Sequence, residues 1–289
     1  MGTCIQRIAT YKRLYTMPTT TAQRVLRLPG TLPGFIATAL LQLLLADTVA
    51  GAWFEETTSV AGVTFMGPSF GASWGDVNGD GWPDLWVGNH AAHPRDLFEN
   101  NRDGTFSKIP PQYPWSRDAH GSAWADFDND GDQDLLTLVG AGSGTASGPN
   151  ELFINSGGEL QERAQQYGLD YPPGRGRTPL WFDWNNDGKL DVFLANQARP
   201  DGAAPSALFT QVNGVFADRF NQTGLTTSAA DSSFAQLMTL GTEHISGLII
   251  GGAPYPDRVY VYGSTPFVDL DATSSLFPPF IWNAVDTAI

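Results

Sequence analysis

The chain is nearly without cysteine. Cys4 is the only one among 289 residues, so no intramolecular disulfide can hold the fold together. Basic side chains are scarce too: 16 Lys and Arg stand against 30 Asp and Glu, a formal charge of −14. That balance makes nucleic acid and anionic membrane surfaces poor partners and cations better ones. Long hydrophobic runs are also lacking. The most apolar stretch, Phe35 to Ala46 (FIATALLQLLLA), is too short to cross a bilayer as a helix.

Present in quantity are turn formers, 32 Gly and 20 Pro, beside 42% hydrophobic residues. That combination suits short strands joined by tight turns, with enough apolar material for a sizeable core. The first residues differ in kind. Arg7, Lys12, Arg13, Arg24 and Arg27 precede the apolar stretch, and Ala50-Gly51-Ala52 follows it. A basic segment, a short apolar segment and an A-x-A site describe a secretory signal peptide over residues 1–52, cleaved near Ala52/Trp53. Cleavage leaves 11 basic against 29 acidic side chains, a charge of −18, and removes Cys4. The mature chain is then expected outside the cell, in the periplasm or at the cell surface, with no transmembrane segment.

Internal repeats dominate the remainder. SWGDVNGDGWPDLWV (73–87), AWADFDNDGDQDLLT (123–137) and LWFDWNNDGKLDVFL (180–194) align without gaps. Each has Trp two residues before an Asp, then D-x-[DN]-x-D-G-x-x-D, then an apolar run. The first Asp falls at 76, 126 and 183. Leu97-Phe98, Leu152-Phe153 and Leu208-Phe209 recur after polar linkers, and a ten-residue unit closes each repeat: LQERAQQYGL (160–169), FADRFNQTGL (216–225) and, diverged, FSKIPPQYPW (106–115). A fourth copy, SFAQLMTLGTEHISGLIIGG (233–252), has Thr239, Gly241, Glu243 and Gly247 at the four acidic or amide positions. It keeps its strands and lacks the ligand set.

Four strands in 50–57 residues is the size of a propeller blade. The fold class expected is therefore all-β, a β-propeller of four-stranded blades at about 64–115, 116–170, 171–226 and 227–277. A fifth would begin at 278–289. FEETTSVAGV (54–63) matches the closing decads, so the chain opens with the outer strand of another blade. About four blades are too few for a large ring, which points to a fragment or to a partial propeller completed elsewhere.

The acidic loops carry the chemistry. Side chains at positions 1, 3, 5 and 9 converge on one point, and Gly at position 6 allows the turn. The oxygens come from Asp76, Asn78, Asp80 and Asp84; from Asp126, Asp128, Asp130 and Asp134; and from Asp183, Asn185, Asp187 and Asp191. Position 7 (Trp82, Asp132, Lys189) varies too widely to act through its side chain and is assigned a backbone carbonyl. Oxygen-only ligation of this kind suits Ca²⁺, so three Ca²⁺ sites are expected. An EF-hand needs Glu at position 12, where Val87, Thr137 and Leu194 stand instead.

These loops, with Phe70-Gly71-Ala72 ahead of the first, resemble the FG-GAP/VCBS repeats of integrin α-subunit propellers. The blade grammar, including ELFINSGG (151–158), is similar to the cartilage acidic protein and ASPIC/UnbV-like group. The resemblance covers roughly residues 53–289. It implies a seven-bladed ring, Ca²⁺ in the loop between the first and second strands, and a part in extracellular interactions such as adhesion.

Little here asks for an enzyme. His90 and His93 form an H-x-x-H on a Pro- and Asn-rich stretch, not on a helix with an intervening Glu. His120 and His244 are isolated from any Ser or Cys with nucleophile context, and the obvious carboxylate pairs are committed to metal. The Trp residues ahead of the loops read as packing between blades, or as a sugar-stacking ring if exposed. The expected function is an exported, calcium-binding scaffold for an extracellular protein or glycan. The alternative is a carbohydrate-active protein, a lectin or polysaccharide lyase, on the same propeller.

Overall fold

A computed structural model describes residues 55–64, 67–90, 93–110, 117–140, 145–146, 148–202, 205–225, 232–240, 245–252, 255–261 and 267–269. The chain divides into two units, Met1–Thr57 and Thr58–Ile289. The expected signal peptide (1–52) and the expected start of a fifth blade (278–289) lie outside the described residues.

Among the described residues the second unit holds sixteen strands in four antiparallel sheets, arranged as a β-propeller. Sheet one is β1 (Ser69–Gly75), β2 (Asp84–Asn89), β3 (Asp96–Asn100) and β4 (Phe106–Ile109). Sheet two is β5 (Ala119–Ala125), β6 (Asp134–Val139), β7 (Glu151–Ser156) and β8 (Glu159–Glu162). Sheet three is β9 (Gly176–Phe182), β10 (Asp191–Asn196), β11 (Ala207–Val212) and β12 (Val215–Asp218). Sheet four is β13 (Phe234–Leu240), β14 (Ile245–Gly252), β15 (Tyr255–Val261) and β16 (Val268–Asp269). In every sheet the spatial order of strands is the chain order.

The apolar runs after the loops become the second strands. All six residues of β2, β6 and β10 are buried, because each of these strands has a packed face on both sides. The core lies between blades. Val77, Trp86 and Leu97 of blade one meet Leu135, Phe153 and Leu160 of blade two. Leu136, Leu138 and Leu152 of blade two meet Val192, Leu194 and Phe209 of blade three. Phe193 and Leu208 of blade three meet Leu248, Ile250 and Tyr260 of blade four.

Two glycines show how close the inner strands come. A Cβ on Gly71 would lie 2.3 Å from the carbonyl oxygen of His120, and one on Gly121 would lie 2.0 Å from that of Arg177. Successive inner strands therefore nearly touch, and the Gly of Phe70-Gly71 and His120-Gly121 leaves room for the neighbouring backbone.

The decads differ from the outer strands expected of them. Those at 160–169 and 216–225 are each a strand in the first half and a helical turn in the second, at Ala164–Tyr167 and Phe220–Gln222. The outer strand expected at 54–63 does not form among its described residues: 55–57 lie outside any strand and Thr58–Ala61 is helical. Gly168 ends its turn with φ 77°. The next residue, Leu169, then drops into the core beside Val192 and Phe209 of the following blade. Val63 and Leu225 do the same beside Leu85 and Leu248. The decad is thus a blade-to-blade latch.

Candidate functional site

The three acidic loops adopt one conformation. In each, the position-1 carboxylate accepts from the backbone N–H of positions 5 and 6. Asp76 takes Asp80 (3.0 Å) and Gly81 (2.7 Å). Asp126 takes Asp130 (3.0 Å) and Gly131 (3.2 Å). Asp183 takes Asp187 (3.1 Å) and Gly188 (2.8 Å). The position-5 carboxylate accepts from the position-7 N–H of Trp82, Asp132 and Lys189 at 2.9, 3.0 and 3.0 Å. The side-chain oxygens of Asn78, Asp128 and Asn185 accept from the position-5 N–H. Position 4 is left-handed throughout, at Gly79 (φ 70°), Asn129 (φ 61°) and Asn186 (φ 58°), which explains why only Gly or Asn stands there.

Two features of the loops go beyond the acidic spacing. Position 2 is a core plug: Val77, Phe127 and Trp184 are 2%, 1% and 7% exposed. Position 9 is a keystone: Asp84, Asp134 and Asp191 are wholly buried. One oxygen of each accepts from the backbone N–H of the third strand, at Asn100 (2.8 Å), Asn155 (2.9 Å) and Gln211 (2.9 Å). The side chains of Asn155 and Gln211 then reach back to the preceding blade, donating to the carbonyls of Val77 (2.8 Å) and Phe127 (2.9 Å). The apolar position 2 was visible in all three repeats, whereas the tie from the third strand had no signal in the loops themselves.

Asp126, Asp128 and Asp130 each bring a carboxylate oxygen within 4.8 Å of the others. Asp134 lies behind them, and its Oδ2 is buried without a hydrogen-bond partner among the described residues. In the other loops that oxygen accepts from Val77 (3.0 Å) or Trp184 (3.2 Å). Burial pushes Asp134 up to about 7, against the Asn155 N–H and helped by the charges of Asp128, Asp130 and Asp126. The same cause pushes Asp191 up to about 6 and raises Asp84 and Asp128. Such a site disfavours its own ionised form. An orphaned buried carboxylate oxygen behind three clustered carboxylates fits a hard divalent cation. The first loop is partly neutralised from within the chain: Arg102 bonds Asp80 at 2.7 Å and holds its carboxyl below the usual range.

The fourth repeat pairs as the alignment requires. Met238 opposes Gly247, as Gly75, Ala125 and Phe182 oppose Asp84, Asp134 and Asp191. Two further pairs follow, Thr239 with Ser246 and Leu240 with Ile245, so the hairpin zips where the other blades open a loop.

The Trp residues ahead of the loops divide. Trp124 and Trp181 pack between blades, while Trp74 is 58% exposed and touches Phe106, with ring centroids 5.9 Å apart. Residues 71–75 spell G-x-S-x-G, but Ser73 lies within β1 and shares a 2.7 Å hydrogen bond with Ser122. It does not sit on a strand-to-helix elbow, so it has no nucleophile geometry. His90 and His120, unrelated in the sequence, come together around Asp118 at the opposite end of the sheets from the acidic loops. Burial first, then the charge of Arg177, pushes the His120 imidazole down to about 4.

A family model described as FG-GAP-like repeat matches residues 76–137, from the first loop through most of β6. Cartilage acidic protein 1 of Xenopus tropicalis is 34% identical over 116 residues, 36% of this chain and 16% of that protein. Cartilage acidic protein 1 of Homo sapiens is 29% identical over 172 residues, 56% of this chain and 23% of that protein. The chain thus spans less than a quarter of the length of either relative. The resemblance drawn from the loops holds: FG-GAP-like repeats are present, on a propeller, in a chain similar to cartilage acidic protein. Among the described residues no helix is long and apolar enough to cross a membrane.

Proposed function

We propose that this chain is an exported, calcium-binding propeller that serves as a scaffold for an extracellular protein or glycan, without catalysis of its own. The observation that carries the calcium reading is the threefold loop geometry, with the orphaned Oδ2 of Asp134 at its base. Asp76, Asn78, Asp80 and Asp84, with their counterparts in the second and third loops, would hold the ions. Trp82, Asp132 and Lys189 would add a backbone carbonyl each. Bound Ca²⁺ supplies positive charge where carboxylates about 4 Å apart otherwise repel by roughly 4 kcal/mol per pair at an effective dielectric near 20. The protein's own part is to keep the loops in shape, through position 2 in the core and position 9 on the third strand. The similarity to cartilage acidic protein supports the scaffold reading, and the A-x-A motif before Trp53 supports export.

The test is a pair of arrays, one of extracellular proteins and one of glycans, probed with the secreted chain with and without Ca²⁺. Retention that needs Ca²⁺ and leaves the bound ligand unchanged is the expected result. Release of new reducing or unsaturated ends from a polysaccharide would overturn the scaffold in favour of a lyase or hydrolase. An unprocessed N-terminus on cell-retained protein would contradict export.

A further inference from the structure

The end of the sheets away from the acidic loops holds a second cluster of donors, of a different chemistry. The residue six before the first loop Asp is Phe70, His120 and Arg177 in successive blades, and the residue fourteen after it is His90, Gly140 and Gln197. In blade three these two positions pair with each other, Arg177 to Gln197 at 2.5 Å. Blade two has no side chain at the second position. A Cβ on Gly140 would lie 2.1 Å from His120 Nε2 and 2.6 Å from Asp118 Oδ2. His120 and Asp118 fill that space, and His90 of blade one meets them there.

Three donor atoms meet there. His90 Nδ1 is 2.6 Å from Asp118 Oδ1, His120 Nε2 is 3.2 Å from the same oxygen, and the two nitrogens are 3.4 Å apart. A tetrahedral ion with bonds of about 2.0–2.1 Å sets its ligand atoms about 3.3 Å from one another. Two of the three separations already match, and the third needs to open by about 0.7 Å. The donors are also held in place. His120 is 3% exposed, and the Phe70 ring packs against both imidazoles, with centroids 4.4 and 5.0 Å away. The His90 side chain is 39% exposed, so solvent reaches the cluster.

We propose that His90, Asp118 and His120 bind a zinc-class divalent ion that ties blade one to blade two and leaves a coordination position for water or for an anionic group of a ligand. Two imidazoles and one carboxylate suit Zn²⁺ and its neighbours, whereas Ca²⁺ takes oxygen ligands. The molecule therefore sorts its metals by end, nitrogen-rich at one and all-oxygen at the other.

The experiment is a Co²⁺ titration of the full chain, stripped with chelator and held in excess Ca²⁺ so that the acidic loops do not take up cobalt. The expected result is one Co²⁺ per chain with the intense visible absorption of a tetrahedral site, displaced by Zn²⁺ and not by Ca²⁺. H90A should weaken Co²⁺ at least about 100-fold, beyond what losing a supporting hydrogen bond costs. H90Q keeps a polar side chain there and should lose the band likewise, and circular dichroism checks that each variant is folded. H93A alters an exposed histidine on the same stretch and should leave binding as it is. No stoichiometric tetrahedral band in the parent chain, or a band that survives both His90 variants, would overturn the site.

Discussion

Replacing Gly121 with alanine tests the close approach of the inner strands. The added Cβ would lie 2.0 Å from the Arg177 carbonyl oxygen, 2.9 Å from its carbon and 3.0 Å from Pro179 Cδ, where ordinary contact begins at 3.4 Å. Two of these atoms are backbone on the neighbouring blade, so relief requires β5 and β9 to separate by about 1.4 Å, which strains the packing of both sheets. Overpacking of this kind costs about 1–3 kcal/mol, and a backbone obstacle at such a distance belongs at the upper end. For a domain of 150–250 residues each kcal/mol moves the melting temperature by about 2–4 °C, so G121A should melt about 6–12 °C lower. Gly214 is the control: its φ is 80° and no atom lies within 4 Å of its Cβ position. G214A meets backbone strain alone, about 1 kcal/mol or 2–4 °C. Thermal melts followed by circular dichroism in excess Ca²⁺ give both numbers. G121A melting at or above G214A would refute the packing of one inner strand against the next.

Glu151 on β7 is buried and pairs with Arg95, which leads into β3 of blade one, and with Arg117 at 3.3 Å. E151Q leaves the buried Arg95 guanidinium without its counter-charge and should destabilise by about 3–5 kcal/mol, read as urea midpoint; an unchanged midpoint would contradict the pairing. Asp134 and Asp191 have folded values near 7 and 6, above the unfolded 3.8. The folded chain therefore holds protons that the unfolded chain releases between about pH 4 and 7. In chelator these two carboxylates should make stability fall as pH rises through that window, outweighing the opposite slope of His120, whose folded value of about 4 lies below its unfolded 6.5. Excess Ca²⁺ should flatten the dependence, and chelated melts that rise across pH 4–7 would contradict the buried-carboxylate reading.

Most of the fold was legible because the repeats write it three times over. The Trp, the D-x-[DN]-x-D-G-x-x-D loop, the apolar run and the Leu-Phe pair each became the strand or turn that their pattern implied. The fourth repeat could be aligned without its acids, and Met238 opposite Gly247 is the register that alignment demands. What stayed hidden was of two kinds. The helical half of the decad was obscured because four residues are too few to show a 3.6 period, and its αL glycine reads as any turn glycine. The His90–Asp118–His120 cluster was hidden because its members lie on two blades, and only the close approach of the inner strands joins them. Trp74, Trp124 and Trp181 look alike in sequence. Their burial differs because Trp124 and Trp181 sit between described blades, whereas Trp74 is largely exposed.

Isothermal titration of the chelator-stripped chain with Ca²⁺ tests the acidic loops most directly. Three ions should bind per chain, and D187A should bind two. Each occupied site should stabilise by about 2.7 kcal/mol at a hundredfold excess over its Kd, so the melting temperature should rise with Ca²⁺. A chain that binds no Ca²⁺ at millimolar concentration, or a D187A variant that still binds three, would contradict the assignment of these loops as calcium sites.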